Sequence, residues 1–215
     1  MRRAGAPSSG RVGRVGVVDY GAGNLRSVET ALRHLGVDYY VCERPEDVTG
    51  ADRLVFPGVG EARAAMTVLI RTGLDEAIAS FDRSGRPLLG ICIGCQVTLE
   101  RSEERDATCL GLVPGASRRF PAATGLKVPH MGWNQVTPVR EHPLWEGIQP
   151  ESSFYFVHSY YPEPADEAAV LARTEYGLSF ASAIGRDNLF AVQFHPEKSG
   201  EVGLKLLANF LAWSP

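Results

Sequence analysis

The chain has few cysteines, few lysines and no long hydrophobic segment. Its four cysteines, at positions 42, 92, 95 and 109, are too sparse for the disulfide framework of a small secreted domain. No run of residues approaches the roughly 20 apolar side chains of a membrane-spanning helix. Residues 1–14 contain arginines but no hydrophobic stretch, so they do not resemble a signal peptide. We therefore expect a cytoplasmic protein without a membrane partner.

Acidic residues outnumber basic ones outside the N-terminus. The formal net charge is −3, and residues 1–14 hold four arginines and no acid, which leaves about −7 for the remainder. An acidic body disfavours a surface for nucleic acid. Of the 215 residues, 44% are hydrophobic, which is enough for the core of one domain. We predict a flexible extension over residues 1–14 and one domain over residues 15–215.

Short apolar strands alternate with amphipathic helices over the first hundred residues, a pattern typical of a parallel sheet with right-handed crossovers. The strands predicted in this half are residues 15–19, 37–41, 53–56 and 87–91. In the second half, strands are predicted near residues 126–129, 154–158, 169–173, 179–184 and 189–194, several of them antiparallel. A helix over residues 202–213 closes the chain. The pattern predicts an α/β fold with a central, mainly parallel sheet flanked by helices.

A cysteine flanked by glycines follows the predicted strand at residues 87–91. The run Gly90-Ile91-Cys92-Ile93-Gly94 places small residues on both sides of the cysteine, as a sharp strand-to-helix turn that exposes a nucleophile requires. A helix N-terminus lowers the pKa of a thiol and offers backbone N–H groups to an oxyanion. The motif alone is equally compatible with an ordinary turn that contains a buried cysteine.

Two further segments also follow predicted strands. His195 and Glu197 come after the strand at 189–194, and residues i and i+2 of an extended segment point the same way. Glu197 could therefore orient and charge the imidazole as the third member of a triad. Residues 57–60 follow the third strand, and their glycines allow backbone N–H groups to turn towards a ligand. Because ligand sites of open α/β sheets form beyond the carboxyl ends of the strands, the segments together predict one cysteine-dependent site.

Cysteine, histidine and glutamate in this order, each after a predicted strand, resemble the class I (triad) glutamine amidotransferases. The resemblance extends from about Val15 to the last helix and implies a flavodoxin-like domain. Within that family, three further runs resemble the branch that supplies ammonia for imidazole glycerol phosphate synthesis in histidine biosynthesis. They are Asp19-Tyr20-Gly21-Ala22-Gly23-Asn24, Pro129-His130-Met131-Gly132-Trp133-Asn134 and His158-Ser159-Tyr160-Tyr161.

The resemblance implies a hydrolytic reaction on the side-chain amide of glutamine. Cys92 would be the nucleophile, His195 the acid and base, and Glu197 its orienting partner. Gln96 matches the family position that helps to hold the substrate glutamine. The segments implied to hold the oxyanion comprise Gly58, Val59, Gly60 and Ile93. No metal ion and no organic cofactor is implied.

The resemblance also implies a protein partner. Members of the same branch dock as a heterodimer on a cyclase subunit, a (β/α)₈ barrel, and pass ammonia to it. The barrel then forms imidazole glycerol phosphate and aminoimidazole carboxamide ribonucleotide. The residues implied to lie on the docking face near the ammonia exit are Asn24, Trp133, Tyr155 and Lys198.

Other interpretations remain open at the level of sequence. The chain could serve another synthase, such as that for pyridoxal phosphate, anthranilate or GMP, could be a cysteine hydrolase or peptidase on a similar sheet, or could be a docking module without activity. Cys92 and Cys95 also form a C-x-x-C pair, which suits a redox disulfide or half of a zinc site. Many family members carry Met or Leu at position 95, so we expect Cys95 to point into the core as a small hydrophobe.

Overall fold

A computed structural model describes residues 13–21, 25–122 and 125–215 of the chain. The elements of the first half are β1 (Val15–Val18), α1 (Leu25–His34), β2 (Tyr39–Cys42), α2 (Pro45–Thr49), β3 (Arg53–Gly58), α3 (Ala62–Thr72), α4 (Leu74–Arg83), β4 (Leu88–Cys92) and α5 (Ile93–Gln96). Those of the second half are β5 (Arg101–Ser102), β6 (Ala107–Thr108), β7 (Gly115–Arg119), β8 (His130–Pro138), β9 (Ser152–His158), β10 (Tyr160–Pro164), β11 (Val170–Glu175), β12 (Ser179–Arg186), β13 (Leu189–Val192) and α6 (Gly200–Ala212).

The main sheet has nine strands in the order β2-β1-β3-β4-β13-β12-β11-β8-β9. The first five of these are parallel neighbours and follow the flavodoxin-like order. The remaining four extend the sheet through antiparallel pairings. A second sheet holds β10, β7, β5 and β6. The predicted α/β fold, with parallel strands first and antiparallel strands in the second half, is therefore confirmed.

The central parallel strands are buried on both faces. Every residue of β1, β4 and β13 is buried, as expected for strands that helices cover from both sides. Alternate side chains enter two clusters: Val55 of β3 packs with Val28 of α1 and Phe210 of α6, whereas Leu54 packs with Leu69 of α3. Helices therefore form a layer on each face of the sheet. Within the described ranges, no helix is long and apolar enough to cross a membrane.

The structure differs from the sequence prediction mainly between residues 100 and 164. The strand predicted near residues 126–129 is wrong, because this segment is irregular and β8 begins only at His130. Pro129 has no N–H group to offer a ladder of hydrogen bonds, so pairing begins after it. The smaller sheet was not predicted, since β5 and β6 have two residues each and show no hydrophobic periodicity.

A charged pair fastens the β12–β13 hairpin to α4. The guanidinium of Arg186 donates to the carboxylate of Asp82 at 2.6 Å and to the carbonyl of Leu112 at 2.9 Å. The Asp82 side chain is only 4% exposed, and Asn188 donates to its backbone carbonyl at 2.9 Å. Because β13 carries the chain directly to His195, this attachment fixes where that segment leaves the sheet.

We expect Asp82→Asn to lower the free energy of unfolding by about 2 kcal/mol, because it leaves the charge of Arg186 without its buried partner. Asp187→Asn is the matched control. The Asp187 carboxylate lies 3.5 Å from the same guanidinium but is 81% exposed, so its loss is expected to cost less than about 0.5 kcal/mol. Urea unfolding of both variants measures the difference. Equal losses would contradict a special role for the buried carboxylate.

Candidate active site

The sequence motif around Cys92 forms a sharp turn between β4 and α5. Cys92 has φ 56° and ψ −106°, a conformation that costs a non-glycine residue free energy and that is concentrated at functional sites. A Cβ atom at Gly94 would lie 1.8 Å from the carbonyl oxygen of Phe56 in β3. Only glycine therefore allows α5 to start this close to the neighbouring strand. The turn predicted from the flanking glycines is present.

His195 and Glu197 are held in a short turn that follows β13. The Nδ1 atom of His195 lies 2.8 Å from the Oε1 atom of Glu197, and both side chains are fully buried. The backbone N–H of His195 donates to the carbonyl of Tyr155 at 2.9 Å. The Ser199 hydroxyl donates to the carbonyl of His195 at 2.6 Å and accepts from the N–H of Tyr155 at 3.0 Å. These contacts fix the backbone of the turn against β9, and Glu197 orients the imidazole.

The charges around His195 favour its protonated form. Burial alone lowers the pKa of this imidazole, but the charges of Cys92 and Glu197 outweigh burial and raise the pKa to about 10. The direction of this shift favours the imidazolium at neutral pH. An imidazolium that lines the cavity beside Cys92 can deliver a proton to a leaving group.

A cavity of about 260 Å³ joins the predicted segments. The residues that line it are Val59, Gly60, Cys92, Ile93, Gln96, Glu104, Pro129, Val157, His158, Ser159, Tyr160 and His195. Of the predicted triad, Cys92 and His195 therefore face the cavity, and Glu197 lies behind the imidazole. The volume is just below the range of about 300–1,000 Å³ that is usual for ligand pockets and suits a small substrate.

Gly58 lies beside the cavity and pairs with Cys92 in the β3–β4 ladder. The hydroxyl of Tyr20 occupies the space beside it, because a Cβ atom at position 58 would lie 2.1 Å from that oxygen. Tyr20 is buried, and burial followed by the charges of Cys92 and Asp19 raises its pKa, so the phenol stays neutral. A glycine at position 58 is therefore required for the strand to pass this ring.

Two glutamine side chains connect the cavity to the cysteine. The Nε2 atom of Gln96 donates to the carbonyl of Tyr160 at 3.1 Å and to Oε1 of Gln193 at 3.0 Å. The Nε2 atom of Gln193 in turn donates to the sulfur of Cys92 at 3.7 Å. The Oε1 atom of Gln96 is buried and has no hydrogen-bond partner among the described residues. Because Gln96 lines the cavity, this oxygen is a candidate acceptor for a bound molecule.

The sequence reasoning missed two functional candidates at this site. Glu104 brings a carboxylate to the cavity wall and accepts from the N–H of Ala62 at 2.8 Å. It belongs to a short turn between two-residue strands, and no local pattern marks it. Gln193 lies two residues before His195, so its proximity to the His-Pro-Glu run was the available signal.

Three of the four residues predicted for a docking face lie close together. Trp133 of β8 is paired with Tyr155 of β9, and their rings meet edge to face with centroids 6.2 Å apart. Tyr155 is hydrogen-bonded to both ends of the turn that carries the exposed Lys198. Met131 and Trp133 are 63% and 59% exposed. Asn24 lies outside the described residues.

A family profile described as "Glutamine amidotransferase class-I" matches residues 16–213. The chain belongs to the class-I glutamine amidotransferases. Enzymes of this family hydrolyse glutamine, and the cysteine turn and the buried His–Glu pair give this member the parts of a cysteine-dependent amide hydrolase.

Curated relatives in the amidotransferase family match almost the whole chain. The imidazole glycerol phosphate synthase subunit HisH of Nitrosococcus oceani is 54% identical over 204 residues, which cover 93% of this chain and 97% of that protein. The subunit of the same name from Aromatoleum aromaticum is 50% identical over 210 residues, which cover 94% of this chain and 99% of that protein. The structure of PurLQS from Thermotoga maritima has a TM-score of 0.73 at 18% identity and covers 93% of this chain and 97% of that chain. It supports the amidotransferase fold.

We expect Cys92→Ala to abolish glutamine hydrolysis, with a loss of at least about a thousandfold, because the nucleophile is removed. Cys95→Ala is the matched control one helical turn away. Cys95 is fully buried in the apolar cluster around Phe56, and burial followed by the charge of Cys92 raises its pKa well above the ordinary value. Glutamate release is expected to stay near that of the unmodified chain in this variant. Equal losses in both would indicate a functional cysteine pair.

Proposed function

We propose that this chain is the glutaminase subunit of an imidazole glycerol phosphate synthase and supplies ammonia for histidine biosynthesis. The observation that carries the proposal is the buried His195–Glu197 pair at 2.8 Å beside a cavity that contains Cys92. The choice of synthase is supported by the identity of about half of all residues with subunits of that name over nearly the full chain.

The first half of the reaction forms a thioester. The Cys92 thiolate attacks the side-chain carbonyl carbon of glutamine, and the carbonyl electrons move onto oxygen. Backbone N–H groups would stabilise this oxyanion. They come from the segment at residues 58–60 and from Ile93, the first residue of α5. The His195 imidazolium then protonates the amide nitrogen, the C–N bond breaks, and ammonia leaves. Glu197 keeps the imidazole oriented and supports its positive charge.

The second half of the reaction releases glutamate. His195, now neutral, takes a proton from water, and the resulting hydroxide attacks the thioester carbon. The C–S bond breaks and the thiolate is restored beside the imidazolium. No group outside the three side chains and water is needed to balance these steps.

Recognition of glutamine requires groups that bind its α-ammonium and its α-carboxylate. Two residues that line the cavity carry acceptor groups: Gln96, whose buried Oε1 atom has no hydrogen-bond partner among the described residues, and Glu104 with its carboxylate. Burial raises the pKa of Glu104, and the N–H of Ala62 opposes that rise. Both groups suit the donor hydrogens of an amino-acid ammonium. We assign the amino end of the substrate to this side of the cavity.

Ammonia would leave towards a cyclase subunit with a (β/α)₈ barrel, with which this chain forms a heterodimer. Met131 and Trp133 lie on one side of β8, and both are strongly exposed. Exposed aromatic anchors of this kind dominate the energy of protein interfaces. Tyr155 contacts both Trp133 and the backbone of His195, and Lys198 lies in the same turn as His195, so a partner seated there would cover the catalytic turn. Asn24 is proposed for the same face from the sequence resemblance alone.

The proposal is tested by measuring glutamate release from the chain alone, with the barrel subunit, and with that subunit and its nucleotide ligand. We expect strong stimulation by the loaded barrel, because the two sites are coupled through the interface. Trp133→Ala should weaken barrel binding by about thirtyfold. Ile70→Ala, which removes a 60% exposed side chain from α3, is the control and should bind normally.

Two results would contradict this assignment. If the barrel subunit does not change glutamate release, the chain would still be a glutaminase, but it would serve another synthase. Folded, reduced protein that never releases glutamate would contradict the enzymatic role and leave a docking module.

The pH dependence of glutamine hydrolysis tests the role of Glu197. Because His195 of the free enzyme must be protonated to deliver a proton to the departing amide nitrogen, we expect the alkaline limb of the kcat/KM profile near pH 10 in the unmodified chain. Glu197→Gln removes a negative charge that favours the imidazolium, so the pKa of His195 falls and the limb moves down by about one unit or more. Glu201→Gln, at an exposed position of α6, is the charge-matched control. A limb that does not move in Glu197→Gln would contradict the charge coupling.

A further inference from the structure

Two buried histidines that the reaction does not use form a chain of hydrogen bonds. The Nδ1 atom of His158 lies 2.8 Å from the carbonyl oxygen of Tyr160. Its Nε2 atom lies 2.9 Å from Nδ1 of His130. The Nε2 atom of His130 lies 3.2 Å from the amide nitrogen of Asn134. The chain therefore runs from β8, across its pairing with β9, to the first residue of β10.

The direction of every hydrogen bond in this chain follows from its ends. A carbonyl oxygen only accepts, so Nδ1 of His158 carries the proton and Nε2 of the neutral ring accepts. His130 must then donate from Nδ1 and accept at Nε2. Asn134 satisfies that requirement, because its Oδ1 atom accepts from the N–H of Gln135 at 2.8 Å, which leaves its NH₂ group to face His130. A second proton on either ring would place two donors opposite each other.

The surroundings keep both rings neutral and in place. Burial lowers the pKa of His130 to about 4 and is the largest cause that lowers the pKa of His158 to about 3. The His130 ring is stacked between Phe156 and Tyr176, with centroid distances of 4.8 Å and 4.0 Å. Rotation of the ring would require these aromatic neighbours to move. Both rings of this hydrogen-bond chain are therefore neutral, fixed in place and hydrogen-bonded through both ring nitrogens.

The inner end of the chain reaches the glutamine cavity. The carbonyl of Tyr160 accepts from His158 and also from Nε2 of Gln96. With this carbonyl and Gln193 both accepting from Nε2, the amide of Gln96 can point only its oxygen into the cavity. The same Gln193 donates to the sulfur of Cys92. The Tyr160 carbonyl and Gln193 together thus decide which atom of Gln96 a bound molecule meets.

We propose that Asn134, His130 and His158 are positioning residues whose one-way chain of hydrogen bonds holds the Tyr160 carbonyl where it orients Gln96 towards bound glutamine. The inference rests on the proposed function for the identity of the bound molecule. Its structural part, the neutral and directed pair of rings, stands on the contacts alone. Asn134, at the outer end of this chain of hydrogen bonds, is next to Trp133 in β8. One set of hydrogen bonds therefore connects the strand that carries Trp133 to the glutamine cavity.

The ring protonation is measured by NMR of the full chain labelled with ¹⁵N-histidine. We expect His130 and His158 to be neutral at pH 7, each with its proton on Nδ1. Signals are assigned with the His158→Asn variant and by comparison with the remaining three histidines. A charged ring, or a proton on Nε2 of either residue, would overturn the proposal. This measurement does not depend on glutaminase activity.

Asn134→Asp tests the direction of the chain. The carboxylate places an acceptor opposite the acceptor nitrogen of His130, so we expect a proton to appear on Nε2 of His130 in the same spectra. Gln135→Glu is the matched control, because it adds the same charge at the adjacent, exposed position on the opposite side of β8. Its ring signals should be unchanged. An unchanged His130 signal in Asn134→Asp would contradict the directed chain.

Glutamine kinetics test the positioning role. His158→Phe preserves the aromatic packing but removes the donor to Tyr160, and we expect KM for glutamine to rise about three- to tenfold with little change in kcat. In His158→Asn the side-chain NH₂ group takes the place of Nδ1, so KM should recover most of this loss. Thermal unfolding checks that both variants fold.

Equal KM values for His158→Asn and His158→Phe would overturn the proposal. Complete absence of glutamate release in the unmodified chain would instead contradict the proposed function, and the NMR measurement would still decide the arrangement of the rings.

Discussion

The geometry of the site depends on the close approach of the turn at Cys92 to β3. The cysteine adopts a backbone conformation with positive φ, and α5 can follow it only because Gly94 lies against the Phe56 carbonyl without a side chain. The same strand passes the Tyr20 hydroxyl at Gly58. The buried strands β3 and β13 on either side of β4 therefore hold the nucleophile in a conformation that an isolated peptide would abandon. The cavity, the oxyanion segment and the position of Gln96 all follow from this packing.

Three histidines of this protein are buried to a similar extent, yet their pKa values shift in opposite directions. His130 and His158 lie among aromatic rings and each other, so burial dominates and both stay neutral. His195 is also buried, but it faces a carboxylate and a thiol, and its pKa moves in the opposite direction. Neutral rings can form a fixed chain of donors and acceptors, whereas a charged ring can deliver a proton. One residue type thus serves two purposes because its neighbours differ.

The parts of the site that are contiguous in sequence could be predicted, and the parts assembled by folding could not. The turn at Cys92 and the His195–Glu197 pair have local signals, because glycines and an i, i+2 spacing are visible in the chain. Glu104 reaches the cavity from a turn without periodicity. The partners of His130 are 28 and 4 residues away and meet only through the β8–β9 register. Similarly, the two-residue strands β5 and β6 are stabilised by pairing rather than by propensity.

The contact between Tyr155 and the catalytic turn has a consequence for solubility. β9 is the last strand of the main sheet, and such edges can pair with strands of other molecules and start aggregation. At Tyr155 the outward N–H and C=O groups are already occupied by Ser199 and His195. The turn that carries the imidazole therefore also blocks the centre of the exposed edge. The same few hydrogen bonds therefore position the catalytic turn and cover the edge of the sheet.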